Sequence, residues 1–244
     1  MKCYPQKQGR VRRDVWGVFL AVLVASLVAA GPRVPSGYAA LPDDETQAEA
    51  KPDAADKKRV LFDAKTLKGW KILDRVDFNR HGKVWVKDGE MILETGQFMT
   101  GVRWEGEFPK LDYEVQFETR RIEGYDFFCG MTFPVGDSHA SLILGGWGGS
   151  LTGISSIDGF DASENETTGS MDFQSKKWYK VRLRVSEEKI EAWVHDGEKD
   201  HKIVDIEHKD RKMSVRWEMD TMPPFGFATY NTTGGFRNIV LIQR

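Results

Sequence analysis

Beyond about residue 58 apolar and polar residues alternate almost one for one, and a repeat of two leaves a chain little to build except half-buried β-strands. From Leu111 to Arg121, Leu111, Tyr113, Val115 and Phe117 point one way while Asp112, Glu114, Gln116, Glu118 and Arg120 point the other. Trp178 to Ser186 repeats this with Val181, Leu183 and Val185 inside and Lys180, Arg182 and Arg184 outside. Glu187-Glu188 and Asp196-Gly197 then turn the chain into Lys189 to His195 and Lys202 to Ile206, which predicts a three-strand meander. Val84 and Val86 face Met91 and Leu93 across Asp88-Gly89, a tight-hairpin signal because glycine accepts a positive φ. Phe225 to Tyr230 and Phe236 to Ile242 are expected to form the last pair of strands. No stretch here carries a capped helical stripe. The domain is therefore predicted all-β, a sandwich of two packed antiparallel sheets with ten or more short strands.

The first 58 residues follow other rules. Lys2, Lys7, Arg10, Arg12 and Arg13 precede an uncharged apolar run from Val15 to Ala30, too short for the ~20 residues of a membrane span but suited to an export signal. Val28-Ala29-Ala30 and Gly37-Tyr38-Ala39-Ala40 both offer cleavage points. Arg12-Arg13 permits twin-arginine export, and an uncleaved signal anchor is the alternative. Residues 41–58 are rich in Asp, Glu, Ala, Lys and Pro and read as a disordered acidic linker. The organisation is then 1–40 signal, 41–58 linker and 59–244 domain, in a protein that is periplasmic, cell-surface or extracellular.

Removing the signal near Ala40 takes away six basic residues and one acid, moving the net charge from −2 to −7. That balance disfavours a nucleic-acid partner, whose phosphates need a positive surface. After cleavage no membrane contact is expected. Cys129 is the one cysteine left, so no intrachain disulfide forms, and its neighbours Phe127, Phe128 and Met131 mark it as a buried thiol.

Several segments resemble the 3-keto-disaccharide hydrolase domain family. They are Leu61-Phe62-Asp63 with Leu67-Lys68-Gly69-Trp70, the stretch Val84 to Ile92, the strand Asp112 to Arg120, the hairpin Lys177 to Gly197 and the closing Phe236-Arg237-Asn238-Ile239. The resemblance implies a concanavalin A-like jelly-roll sandwich and cleavage of glycosides oxidised to a ketone at C3. A C3 carbonyl acidifies the C2 proton, so such a site needs a base, an oxyanion partner and a general acid. Glu118 and Arg120 match the family's Glu-x-Arg and share a strand face with Glu114. The chain departs from the family pattern at Phe128-Cys129-Gly130, at Ala140 to Leu144 and at Gly226 to Asn231, where acidic, amide and imidazole groups are missing.

The residues themselves add two candidates. His139, after Asp137-Ser138 at a strand start, is an acid or base; Trp147, between glycine pairs in Leu144 to Ser150, can offer a platform to a sugar ring. Glu118, Arg120 and His139 are thus the catalytic candidates, with Glu114 and Trp147 as substrate-binding ones. The oxygen-rich loop Ile157 to Thr168 could attract calcium, but its spacing fits no fixed calcium loop, so no cofactor or metal is expected. The expected partner is an oligosaccharide or glycoside, handled by an enzyme or by a non-catalytic, lectin-like module on the same fold.

Overall fold

The computed structural model describes residues 57–244; the expected signal and all but the last two residues of the expected linker lie outside the described residues. Fifteen strands follow one another: β1 (Lys57–Val60), β2 (Trp70–Ile72), β3 (Val84–Lys87), β4 (Glu90–Leu93), β5 (Met99–Trp104), β6 (Tyr113–Gly124), β7 (Cys129–Val135), β8 (Ser138–Gly145), β9 (Leu151–Ser155), β10 (Gly169–Ser170), β11 (Tyr179–Val185), β12 (Lys189–His195), β13 (Asp200–Glu207), β14 (Gly226–Tyr230) and β15 (Thr232–Gln243). One sheet has the order β13-β12-β11-β6-β15-β4-β3, with β1 also paired to β15; the other runs β10-β9-β8-β7-β14-β5-β2. All pairings are antiparallel. Among the described residues no helix is long and apolar enough to cross a membrane.

Alternation builds the core. Tyr113, Val115 and Phe117 of β6 are at most 2% exposed, and aromatic rings bridge the sheets: Phe227 of β14 lies 5.0 Å from Phe117 and 4.7 Å from Phe236 of β15, centroid to centroid. Such pairs add specificity to the area they bury. The Asp88-Gly89 hairpin forms with both residues at positive φ, 53° and 81°, the primed turn whose twist suits antiparallel strands. Val84 pairs with Leu93 and Val86 with Met91. The meander is β11-β12-β13. Cys129 is fully buried, and that desolvation pushes its thiol pKa up.

The last two strands depart from expectation. They do not pair: β14 sits between β7 and β5 in one sheet, β15 between β6 and β4 in the other, with Asn231 alone between them at φ 46°. Alternation marks each as a strand with an inner face, but both inner faces look alike, so the pattern is silent on which sheet takes which.

The seven-stranded sheet is apolar on its outer face too. Met99, Ile143 and Ala228 form a second cluster there with Leu73, Phe78, Ala162, Met219 and Met222 from overlying loops. Short turns at Val76–Phe78 and Trp217–Met219 deliver Phe78 and Met219. These loops cover part of the face and leave a hollow between them.

Candidate functional site

The hollow is a pocket of about 470 Å³. Met99, Ile143 and the stacked pair Phe127 and Tyr230, with centroids 5.7 Å apart, form its apolar lining. Phe98, Trp147 and Trp217 line it as well, yet are 42%, 48% and 63% exposed. The domain exposes seven large apolar side chains; three line this pocket, and Val76 and Tyr125 adjoin its lining residues Asp77 and Asp126. Scattered apolar exposure is ordinary, but aromatics gathered round one hollow mark a binding surface.

The polar lining is arranged by hydrogen bonds. Arg216 donates to both oxygens of Glu218, at 3.1 and 2.8 Å, and to Asp161; Asp161 also accepts from the Ser155 hydroxyl at 2.5 Å. Burial by itself would raise the Glu218 carboxyl, but the Arg216 hydrogen bonds and charge outweigh it, and the group lies below its usual range. The Arg216 guanidinium is held still more firmly protonated, first by its bonds to Glu218. Asp126 accepts from its neighbour Phe127 N–H at 2.8 Å and, through the other oxygen, from Gly148 N–H at 3.4 Å. That second contact is long, so the oxygen has capacity to spare. Asp77 makes no side-chain hydrogen bond among the described residues.

Trp147 is the sequence-derived candidate that this pocket contains. His139 shares a strand and, by alternation, a sheet face with Ile143, but four residues away, about 13 Å at 3.3 Å per residue. Burial, and then the Lys110 charge, lowers its imidazole pKa. Glu114, Glu118 and Arg120 lie across the sandwich on the outer face of the eight-stranded sheet, so one ligand cannot touch them and Trp147 together.

There each of the three is committed to neighbours. Glu114 is 1% exposed and accepts from Gln116, Arg184 and Arg244. Glu118 accepts twice from Arg237, at 2.8 and 2.6 Å, and once from Asn238 at 3.0 Å. Arg120 chelates Glu90, through Nε at 3.1 Å and Nη2 at 2.5 Å, and lies 4.7 Å over the Trp178 ring. Glu118 does border a hollow of about 360 Å³ with Lys180, Arg182 and Trp193, but His139 and Trp147 are absent from it. Strand parity correctly put these side chains on one polar face; it carries no information on which residues neighbouring strands place opposite them.

In the loop considered for calcium, Asp158 and Glu166 turn to Arg211, at 2.6 and 2.5 Å, and Asp161 to Arg216. Among the described residues no group of three or more His, Cys, Asp or Glu side chains is placed to hold a metal. Sequence reasoning missed Asp126, Arg216, Trp217 and Glu218. The one signal for the last three was a tryptophan between two charges in a stretch without alternation.

The model of the 3-keto-alpha-glucoside-1,2-lyase-like domain family matches residues 57–242. No curated protein matches the chain. Among solved structures, the exoplasmic/lumenal domain of VIP36 in its Ca²⁺/Man3GlcNAc-bound form is similar at TM-score 0.52 and 9% identity, over 76% of this chain and 87% of that one. The Crh5 transglycosylase in complex with NAG gives 0.50 and 9%, over 78% and 84%. The carbohydrate-binding module CBM66 from Bacillus subtilis gives 0.44 and 10%, over 70% and 93%. At 9% identity the likeness to the VIP36 and Crh5 structures is one of fold, the two-sheet jelly roll.

Proposed function

The chain belongs to the family of 3-keto-alpha-glucoside-1,2-lyase-like domains, and from that premise we propose that it is an exported protein that takes a 3-keto-glycoside into the pocket on the seven-stranded sheet and cleaves it. The observation that carries this reading is the gathering of unburied aromatics, Phe98, Trp147 and Trp217, around one hollow that also holds carboxylates and an arginine. Sugar rings present C–H faces to indoles and hydroxyls to charged groups, and the lining offers both.

The chemistry follows from the C3 ketone. The second oxygen of Asp126 takes the C2 proton, and the electron pair moves into an enediolate whose C3 oxygen Arg216 stabilises with the N–H donors it does not spend on Glu218 and Asp161. The C1–O bond then breaks, the leaving sugar takes up a proton, and water adds across the C1–C2 double bond. The basic start and apolar run of the sequence support export.

A non-catalytic, lectin-like module is the second reading. It is favoured by a lining without histidine among the described residues, and by a Glu218 already locked in an ion pair. Incubation with a panel of 3-keto disaccharides separates the two. Wild type is expected to release free sugar, Asp126→Asn to lose about 10²–10⁴-fold in kcat, and Trp147→Ala to raise KM several-fold. Glu118→Gln, on the far sheet, is expected to leave release unchanged. Calorimetric binding without release would establish the second reading, and neither binding nor release would remove both.

A further inference from the structure

Arg121 stands where the alternation of β6 calls for an apolar side chain, in line with Tyr113, Val115 and Phe117 on the inward face. It is 7% exposed, and its guanidinium makes no direct ion pair among the described residues, Asp126 and Asp172 acting on it only through longer-range charge. Instead Nη2 donates to the Gly149 carbonyl at 2.7 Å and Nη1 to the Phe173 carbonyl at 3.2 Å, while Nε has no partner. The group lies 5.2 Å over the Phe128 ring. A buried cation without a direct counter-ion is costly, and here burial outweighs the distant carboxylates and lowers the guanidinium pKa, so a sandwich that keeps one has a use for it.

Its surroundings indicate that use. The Gly145–Ser150 loop closes around the guanidinium: a Cβ on Gly145 would come within 2.6 Å of Nη2, and one on Gly149 within 3.3 Å. Both glycines have positive φ, 77° and 113°, so the chain wraps the arginine as no other residue could at these points. Trp147 itself is held at φ 47° and ψ 54°, an uncommon conformation for a bulky residue. From the pocket side Gly148 N–H makes only a long contact to Asp126, at 3.4 Å, whereas Met171 N–H donates to the Ser150 carbonyl at 2.9 Å. The loop is therefore tied from beneath by Arg121 and at its far end by Met171, while Trp147 lines the pocket.

We propose that Arg121 is a positioning residue for the Trp147 platform, pinning Gly149 from inside the sandwich so that the indole is fixed before a sugar ring arrives. Preorganisation of this kind removes the ordering cost from the binding step. The proposal rests on reading the pocket as a saccharide site.

The test uses the full chain with Arg121→Met, Arg121→Lys, Trp147→Ala and the Arg121→Met/Trp147→Ala pair. Amide hydrogen exchange over residues 145–151 is followed without ligand, and affinity for a 3-keto disaccharide is measured separately. Arg121→Met is expected to speed exchange at Gly148–Leu151 at least tenfold relative to the rest of β8 and β9, and to weaken affinity about tenfold. Arg121→Lys, which keeps the charge but reaches one carbonyl, is expected to fall between, and it carries the comparison if the methionine variant does not fold. Trp147→Ala should weaken affinity with exchange unchanged, and the double variant should be no weaker than Trp147→Ala alone. Unchanged exchange, protection lost evenly across both sheets, or additive affinity losses would each overturn the proposal. If wild type binds no saccharide, the sugar-site reading fails separately, and local exchange still decides whether Arg121 clamps the loop.

Discussion

At the scale of single residues, the charges that alternation singles out on β6 are occupied. Glu114, Glu118 and Arg120 carry chemistry in principle, but each is satisfied by fixed partners, which suits a polar sheet face better than a reacting centre. His139 differs, because no carboxylate balances it. Burial, with Lys110 adding to it, holds its imidazole below the usual 6.5, so the unfolded chain binds a proton more readily than the folded one. Stability is then full above pH 6.5 and falls as the pH drops below it, until the folded ring is protonated as well. Thermal denaturation from about pH 7 to about pH 5 is expected to show a falling Tm in wild type and a shallower fall in His139→Gln. Equal slopes in the two proteins would assign the acid sensitivity to other groups.

At the scale of elements, strands and loops divide the labour. β14 ties the two sheets together, because Phe227 touches Trp70 of its own sheet and Phe117 and Phe236 of the other, and is fully buried. Phe227→Ala is expected to cost about 3–5 kcal/mol in urea denaturation, the range for emptying a buried aromatic site; a loss under about 1 kcal/mol would mean that the core collapses freely around the gap. The pocket draws Met99, Ile143 and Tyr230 from β5, β8 and β14, while Phe127 and its exposed and charged groups come from the segments between strands. The strands were legible because alternation at a period of two reports directly on burial. Loop residues such as Arg216 and Glu218 obey no period, and their convergence depends on where the sheets carry the strand ends.

For the whole molecule, topology sets the folding rate. β1 pairs with β15 from Lys57 opposite Gln243, and β4 with β15 from Met91 opposite Phe236, so the pairings of β15 in the eight-stranded sheet close the longest loops in the domain. Loop-closure entropy must be met before those pairs form, and refolding from denaturant is expected to take on the order of seconds or longer, as stopped-flow and manual-mixing tryptophan fluorescence would show. Millisecond recovery of native fluorescence would contradict this. The residue pattern by itself settled the class of fold, the hairpin at Asp88-Gly89, the β11–β13 meander and the buried thiol, since each depends on neighbours within a few positions. The separation of β14 from β15, the placing of Glu118 and Trp147 on opposite faces, and the gathering of Asp126, Arg216 and Trp217 round one pocket were decided by the tertiary structure. The reason is physical: a strand's pattern tells which of its faces is buried, whereas what lies across from that strand is chosen by contacts between residues far apart in the chain.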